Sequence, residues 1–269
     1  HSAQRFISGH GADTRRVFLP AVLNVLNLFD WNTSNAGTAT AQRWQETMKD
    51  IALMAKDAEA LELAQRGFSV VVLEAEGDAR ALLSAERTAL NFLQLLSAVA
   101  TKTATYVEAV RGTRAHIVDT RKTIPGLRLA QKYAVRVGGG TNHRIGLHDA
   151  VLIKENHIAA AGGVSAVLQA AQQVAARAQF IEIEVETLEQ LREALDTGAR
   201  MVLLDNMPLP MLHEAVRINA GRAILEISGG VTLEGLRALA ETGVDRISIG
   251  TLTKDVKATD FSMRLQEMP

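Results

Sequence analysis

Residues 180–205 of the chain read FIEIEVETLEQLREALDTGARMVLLD, and this stretch decides the fold class. The runs Phe180–Glu184 and Met201–Asp205 each have the length and apolar character of a buried strand. Between them, Leu188–Asp196 repeats its apolar residues at the spacing of an amphipathic helix. Because parallel strands need a crossover connection of about this length, the stretch predicts a parallel βαβ unit.

The same alternation continues on both sides of this unit. Further strands are predicted at His116–Asp119, Ala150–Lys154, Ala223–Ser228 and Arg246–Gly250. Further helices are predicted at Gly126–Val137, Val164–Ala176, Leu209–Ile218 and Leu233–Glu241, and a long helix at about 82–110. The pattern predicts an α/β protein with a TIM-like barrel. Upstream, a strand is predicted at Phe68–Ala75 and a helix at Met48–Arg66, and the last segment, Ala258–Leu265, is expected to return to the N-terminal part.

Composition excludes several classes of protein. Hydrophobic residues make up 47% of the 269 residues and charged residues 22%, so the chain can bury a full core. The absence of cysteine excludes disulfides and thiolate catalysis, and a net charge of −1 gives no general attraction for nucleic acid. No apolar run is long enough to span a bilayer. The Arg15-Arg16 pair resembles a twin-arginine export signal, but an amphipathic first helix is the favoured interpretation, so a cytoplasmic location is expected.

Positive charge is concentrated in one third of the predicted barrel. Between Val110 and His157 there are nine Lys and Arg residues and three Asp and Glu residues, an excess of six positive charges. Arg128, Lys132 and Arg136 stand at helical spacing and are interpreted as a solvated helix face. The other cations of interest flank strands or a glycine loop, where gathering them is costly without an anionic ligand: Arg121, Lys122, Arg144 and Lys154. These four predict a site for a polyanion.

Glycine-rich loops supply the second part of the predicted site. Gly138-Gly139-Gly140 precedes Thr-Asn-His143-Arg144, where backbone N–H groups and a guanidinium can face an anion. Ser228-Gly229-Gly230 and Gly250-Thr251 follow the last two predicted strands. Loops at those two positions are the usual phosphate-binding loops of a barrel of this kind, so phosphate binding is expected there.

Carboxylates supply the third part. Glu184 and Asp205 end adjacent predicted strands, where they can serve in acid–base catalysis or hold Mg²⁺ beside a pyrophosphate. Glu182 and Glu186 alternate with Glu184, so all three are expected to point inward from one strand face.

The ordered motifs resemble those of the decarboxylating quinolinate phosphoribosyltransferases, also named carboxylating nicotinate-nucleotide pyrophosphorylases. The resemblance covers roughly residues 73–265 and rests on DTRKTIPGLR (119–128), GGGTNHR (138–144), LIKENH (152–157), EIEVE (182–186), LDN (204–206), SGG (228–230) and IGTLTK (249–254), with GDARALL (77–83) and ERTALN (86–91) before them. It implies a type II phosphoribosyltransferase-like, incomplete α/β barrel with an N-terminal α/β sandwich domain.

The resemblance also implies roles for individual residues. Arg121, His143, Arg144 and Lys154 match the residues that hold the quinolinate carboxylates, and Arg87 matches one that reaches in from a neighbouring subunit of a homodimer. Lys122 matches a catalytic lysine that neutralises the phosphoribosyl pyrophosphate donor. Glu184 and Asp205 match catalytic carboxylates at Mg²⁺ and the ribose. The sugar 5′-phosphate is expected at Ser228, Gly229, Gly230, Gly250, Thr251 and Lys254.

The implied reaction is phosphoribosyl transfer to quinolinate with loss of pyrophosphate and CO2, a step of NAD biosynthesis. The expected domains are residues 1–112 with the long helix, a catalytic barrel at 113–255, and a returning segment at 256–269. The first 72 residues show neither the acidic Glu-Asp-Leu-Gly type motif nor the strand-rich pattern of the family.

Three alternatives remain open on the residues alone. A phosphoribosyltransferase of the same fold could act on nicotinate or serve a molybdenum-related operon. A Schiff-base lyase could use Lys154 as its nucleophile. A barrel that binds phosphate without catalysis would need only the glycine loops.

Overall fold

The computed structural model describes residues 4–6, 76–77, 79–174 and 178–267. The first helix at Arg15 and Arg16, the helix at Met48–Arg66 and the strand at Phe68–Ala75 fall outside the described residues. The chain divides into two compact units. The terminal unit comprises residues 1–102, 129–138 and 255–269, and the barrel unit comprises residues 103–128 and 139–254.

The strands are β1 (Gln4–Phe6), β2 (Glu76–Gly77), β3 (His116–Val118), β4 (Val151–Ile153), β5 (Ile181–Val185), β6 (Met201–Asp205), β7 (Ile224–Ser228), β8 (Arg246–Ser248) and β9 (Leu265–Glu267). The helices are α1 (Ala79–Ala109), α2 (Arg128–Val137), α3 (Glu155–Ala161), α4 (Val164–Val174), α5 (Leu188–Asp196), α6 (Leu209–Asn219), α7 (Leu233–Glu241) and α8 (Thr251–Lys254). No helix among the described residues is long and apolar enough to cross a membrane.

The barrel unit is built on one parallel sheet of six strands in the order β3-β8-β7-β6-β5-β4. Neighbours follow chain order from β4 to β8, and β3 then pairs with β8. Within the described residues β3 and β4 are the two edges of this sheet, and the predicted α/β fold class is confirmed. Because all six strands are parallel, their C-terminal ends lie on one edge of the sheet.

The core of the barrel unit explains why these segments are strands and helices. Ile183, Val202 and Leu204 are fully buried, as expected for parallel strands covered by helices. Leu191 and Leu212 are the corresponding buried residues of α5 and α6. At ~25 cal/mol per Å² of apolar surface, each buried Leu or Ile contributes roughly 1.5–3 kcal/mol.

Local signals fix the ends of several elements. The Thr187 side chain accepts a hydrogen bond from Gln190 N, and Thr232 caps α7 in the same way from Gly235 N. The predicted helix at Gly126–Val137 begins two residues later than expected, because Gly126 has a φ of 79° and closes a turn first. Helix α3 was not predicted, since it is a single short helix with no buried side chain and therefore no apolar periodicity.

The terminal unit has its own sheet and core. Its strands pair antiparallel in the order β2-β1-β9. Leu96 and Val99 of α1 pack with Ala134 of α2, and Phe261 and Met263 of the last segment pack against this cluster.

The interpretation of Lys132 as a solvated cation is wrong, because only 3% of it is exposed. Arg136 is exposed and lies over the Tyr133 ring, with its guanidinium carbon 5.3 Å from the ring centroid.

Candidate active site

The strand ends of the barrel unit bring the predicted catalytic carboxylates to one edge of the sheet. In the sheet register Glu184 pairs with Leu203, and Asp205 pairs with Ser228. Side chains two residues apart on a strand share a face, so Asp205 lies on the same face as Leu203 and its partner Glu184. Asp205 is two residues nearer than Leu203 to the C-terminal end of β6. Lys154 follows β4, and Gly250 follows β8, at the same edge.

Lys154 and Glu184 are in direct contact. The Lys154 Nζ atom donates to Glu184 Oε2 at 2.9 Å, and the two side chains are 44% and 12% exposed. This contact joins a residue predicted to bind quinolinate to one predicted to bind Mg²⁺. The site therefore places cation and carboxylate side by side, each able to exchange its partner for a ligand of opposite charge.

The GGGTNHR loop is attached to the edge strand β3. Thr141 forms a parallel bridge with Val118, and its N–H donates to Ile117 O at 2.8 Å. The fully buried Asp119 carboxylate accepts bonds from the His143 N–H at 2.8 Å and from Asn142 Nδ2 at 2.6 Å. Asp119 therefore holds the segment that carries His143 and Arg144.

Both ring nitrogens of His143 face protein partners. Nε2 lies 2.7 Å from Glu182 Oε2, and Nδ1 accepts from the Arg144 N–H at 2.8 Å. With Nδ1 accepting, Nε2 is the ring nitrogen that donates to Glu182. A contact between His143 and a substrate carboxylate stays a prediction, and it requires the ring to exchange one of these partners.

A buried pair of carboxylates lies beside His143. Glu182 and Glu226 are both fully buried, and burial raises the pKa of each to about 7. For Glu226 the neighbouring Glu182 raises the pKa further, while His143 and Arg246 oppose the rise. The Arg246 Nε atom lies 2.7 Å from Glu226 Oε2 and supplies a counter-charge.

Sequence reasoning missed Glu226 and Arg246. A signal was available, because Glu226 precedes Ser228 by two residues on β7 as Glu182 precedes Glu184 on β5.

The prediction that Glu186 points inward with Glu182 and Glu184 is wrong, since Glu186 is exposed just beyond β5. The possible metal-ligand atoms of His143, Glu182 and Glu226 lie within 4.8 Å of one another. The positive charge of Arg246, which is ion-paired with Glu226, already compensates negative charge in this cluster.

Two arginines form the cationic part of the site. Arg144 is 9% exposed, and burial, followed by the charge of Arg121, lowers its pKa. The Arg121 Nε atom is buried and has no hydrogen-bond acceptor among the described residues. Two like charges and an unsatisfied buried donor are unfavourable unless an anion joins them.

The third arginine of this region, Arg128, does not belong to a solvated helix face as the sequence predicted. Its guanidinium donates to Thr123 Oγ1 and to the carbonyl oxygens of Arg121 and Ile145. The prediction failed because helical spacing identifies the face of a residue but not the loops packed beside the helix end.

At two glycines the predicted phosphate loops pack closely against neighbouring side chains. Gly229 has a φ of 98°, and a Cβ there would lie 2.0 Å from Asn206 Oδ1. A Cβ at Gly250 would lie 3.0 Å from Lys122 Cδ, so Lys122 crosses the loop after β8. Thr253 Oγ1 donates to Lys122 O at 2.8 Å and so connects α8 to the loop after β3. Lys254, the next residue, is exposed.

Every predicted site residue except Arg87 lies in the barrel unit. Arg87 lies on α1 in the terminal unit. Its role at a neighbouring subunit stays a prediction.

Comparison with known proteins identifies the family. The family model "Quinolinate phosphoribosyl transferase, C-terminal domain" matches residues 99–264, and the corresponding N-terminal domain model matches residues 34–97. The chain belongs to the quinolinate phosphoribosyltransferase family. It is a pentosyltransferase of NAD biosynthesis. The N-terminal match also corrects the interpretation of residues 34–72, which follow the family pattern without the short motifs sought there.

Curated relatives and solved structures agree with this assignment. The chain is 48% identical over 193 residues to a probable carboxylating nicotinate-nucleotide pyrophosphorylase of Bacillus subtilis, covering 72% of this chain and 67% of that protein. It is 49% identical over 197 residues to the corresponding Mycobacterium leprae protein, covering 72% and 69%. The structure of NadC from Streptococcus pyogenes is similar at a TM-score of 0.77 and 35% identity, covering all of this chain and 88% of that one. A nicotinate-nucleotide pyrophosphorylase of Francisella tularensis gives 0.74 and 36%, covering 98% and 86%.

Proposed function

We propose that the barrel unit joins quinolinate to phosphoribosyl pyrophosphate at this edge of the sheet and releases pyrophosphate and CO2. The observation that carries the proposal is the pairing of Arg121 with the buried Arg144. An anionic ligand would satisfy the free Nε donor of Arg121 and cancel the repulsion between the two guanidinium groups.

The dicarboxylate is assigned to the cationic part of the site. Arg121 and Arg144 offer planar, bidentate donors, and Lys154 offers a point charge after β4, which β5 and β6 separate from β7 and its phosphate loop. His143, which directly precedes Arg144, is the fourth residue assigned to the quinolinate carboxylates. A pyridine ring held by both carboxylates has its nitrogen fixed in one direction, which lowers the entropic cost of attack.

The donor is assigned to the other side of the same edge. Lys122 is placed at the pyrophosphate. The 5′-phosphate is placed at the loops after β7 and β8, at Ser228, Gly229, Gly230, Gly250, Thr251 and Lys254. Their backbone N–H groups and the Lys254 ammonium supply the donors that a phosphate needs.

Mg²⁺ fits the carboxylates at the ends of β5 and β6. Glu184 and Asp205 provide oxygen ligands on one face, and Asp205 Oδ2 accepts a hydrogen bond from the neighbouring Asn206 Nδ2 at 2.7 Å. Two carboxylates beside a pyrophosphate are a donor set that Mg²⁺ prefers. When bound, the ion neutralises charge on the departing pyrophosphate.

The chemistry then follows from charge placement. The pyridine nitrogen forms a bond to the anomeric carbon as the bond to pyrophosphate breaks, and Lys122 stabilises the leaving oxygen. Glu184 and Asp205 stabilise the positive charge that develops on the ribose. The cationic ring then accepts the electron pair of the breaking carbon–carboxylate bond, CO2 leaves, and a proton from solvent replaces it.

The same proposal includes a cytoplasmic homodimer in which Arg87 reaches the neighbouring site. The support is the family membership. The alternative of a Schiff-base lyase gains no support, because Lys154 Nζ donates a hydrogen bond to Glu184 Oε2 at 2.9 Å and is therefore engaged by a carboxylate.

The test is CO2 release from carboxyl-labelled quinolinate, with donor and Mg²⁺ each omitted in turn. We expect release to require all three, and nicotinate to give no nucleotide. Glu184→Ala and Asp205→Ala should each lower kcat roughly 10²–10³-fold, as loss of one transition-state electrostatic contact does elsewhere. Glu189→Ala, an 82% exposed carboxylate on α5, is the matched control and should leave the rate unchanged. Transfer to nicotinate without CO2 release would instead identify the nicotinate alternative.

A further inference from the structure

Arg128 connects two segments that each carry a cation of the proposed quinolinate site. Its Nε donates to Thr123 Oγ1 at 3.1 Å, and its Nη2 donates to Arg121 O at 3.3 Å. The remaining branch, Nη1, donates to Ile145 O at 3.1 Å. One guanidinium thus binds the loop after β3 and the end of the GGGTNHR loop at the same time.

The second of these segments is fixed from the other side as well. Ile145 N donates to Asp149 Oδ2 at 2.7 Å, and Gly146 N donates to Asp149 Oδ1 at 2.8 Å. Ile145 follows Arg144 directly, so the backbone beside Arg144 is held between Arg128 and Asp149. Arg128 supplies the link from this anchored backbone to Arg121.

Helix energetics do not account for an arginine at this place. Arg128 is the first residue of α2, where the partial positive charge of the helix N-terminus disfavours a cation. The first turn of α2 contains no acidic residue that could compensate it. The side chain instead satisfies three acceptors in two loops, and the planar fork of arginine suits this geometry whereas a lysine ammonium does not.

We propose that Arg128 is a positioning residue that sets the spacing of Arg121 and Arg144, and thereby the preference for a ligand with two adjacent carboxylates over one with a single carboxylate. The proposal rests on the function proposed above and deepens it. Without the fork, mutual repulsion moves the two guanidinium groups apart. A ligand that must bridge both then loses affinity, while a ligand bound by one of them loses little.

Binding measurements separate this role from a general loss of stability. Benzene-1,2-dicarboxylate and benzoate serve as unreactive probes, and calorimetry gives their Kd values for the full chain and for Arg128→Lys and Arg128→Ala. We expect the dicarboxylate to bind at least tenfold more weakly in both variants and benzoate to change less than threefold. Arg136→Ala, on the same helix but exposed, is the matched control and should leave both Kd values unchanged.

Kinetics supply the second readout. In the variants the KM for quinolinate should rise at least tenfold, while kcat and the KM for the donor change less than threefold. Methylguanidine should restore part of the quinolinate affinity to Arg128→Ala and none to Arg121→Ala. If Arg128→Ala does not fold, Arg128→Lys decides, because it keeps the charge and most of the methylene chain.

Three results would overturn the inference: equal loss of both probes, equal rises in the two KM values, or full dicarboxylate affinity in a folded Arg128→Lys variant. If the unaltered chain releases CO2 from quinolinate, any of these outcomes rejects the role of Arg128 alone. If it releases none under any condition, the proposed function and this inference fall together.

Discussion

Replacement of Glu226 by glutamine tests whether the buried carboxylates are held close to neutral. Glutamine keeps the shape of the side chain and an oxygen atom beside Arg246, but it cannot ionise. The pKa of Glu226 is raised by burial from 4.5 to about 7. Because the folded pKa lies above the unfolded one, this group's stabilisation is fully present below about pH 4.5 and is lost as the pH rises to about 7.

The size of the effect follows from the shift. A rise of about 2.5 in the pKa of Glu226 corresponds to roughly 3 kcal/mol in the free energy of unfolding, at about 1.4 kcal/mol for each pKa unit. The unaltered protein therefore loses about this much free energy of unfolding through Glu226 between pH 4.5 and 7.5, and Glu226→Gln loses none of it. The free energy of unfolding of Glu226→Gln, relative to that of the unaltered protein, should therefore rise by about 3 kcal/mol from pH 4.5 to 7.5 and stay constant at higher pH.

Urea unfolding at half-unit steps of pH measures this difference directly, since subtracting the two curves cancels groups that the substitution does not touch. Glu189→Gln, at an 82% exposed site, is the control and should give a flat difference. Because Glu182 and Glu226 interact, the observed midpoint belongs to the pair. A flat difference curve for Glu226→Gln, or one that falls as the pH rises, would refute the reasoning.

Three further outcomes are expected. Lys154→Ala should raise the Kd for quinolinate at least tenfold and change donor binding little, as calorimetry can show; equal losses would reject its assignment to the dicarboxylate. Arg87→Ala should abolish CO2 release, and mixing it with inactive Glu184→Ala should restore up to about a quarter of the activity if Arg87 acts across subunits; no recovery in a proven mixed dimer would place Arg87 in its own site. Gly229→Ala should lower stability by roughly 1–3 kcal/mol and raise the donor KM, because its φ of 98° and the contact with Asn206 admit no Cβ; an unchanged thermal midpoint would contradict this.

The sequence by itself determined the elements of the barrel unit. Met201–Asp205, Leu188–Asp196 and Leu233–Glu241 have the predicted bounds in the structure. These elements were predictable because apolar periodicity and capping residues act within a few positions of the chain. The excess of positive charge and the strand-end carboxylates were also visible, since parallel strands necessarily end on one edge.

Only the tertiary structure decided which side chains meet. The contact of His143 with Glu182 spans 39 residues of chain, and the Arg128 fork joins loops that are 24 residues apart. Alternation along a strand shows which face a residue occupies, but not which strand lies next to it or what a loop brings above it. For this reason Glu226 and Arg246 were missed, and Arg128 was interpreted as a surface cation. The unsatisfied donor of Arg121 became evident only when the burial of each atom was known.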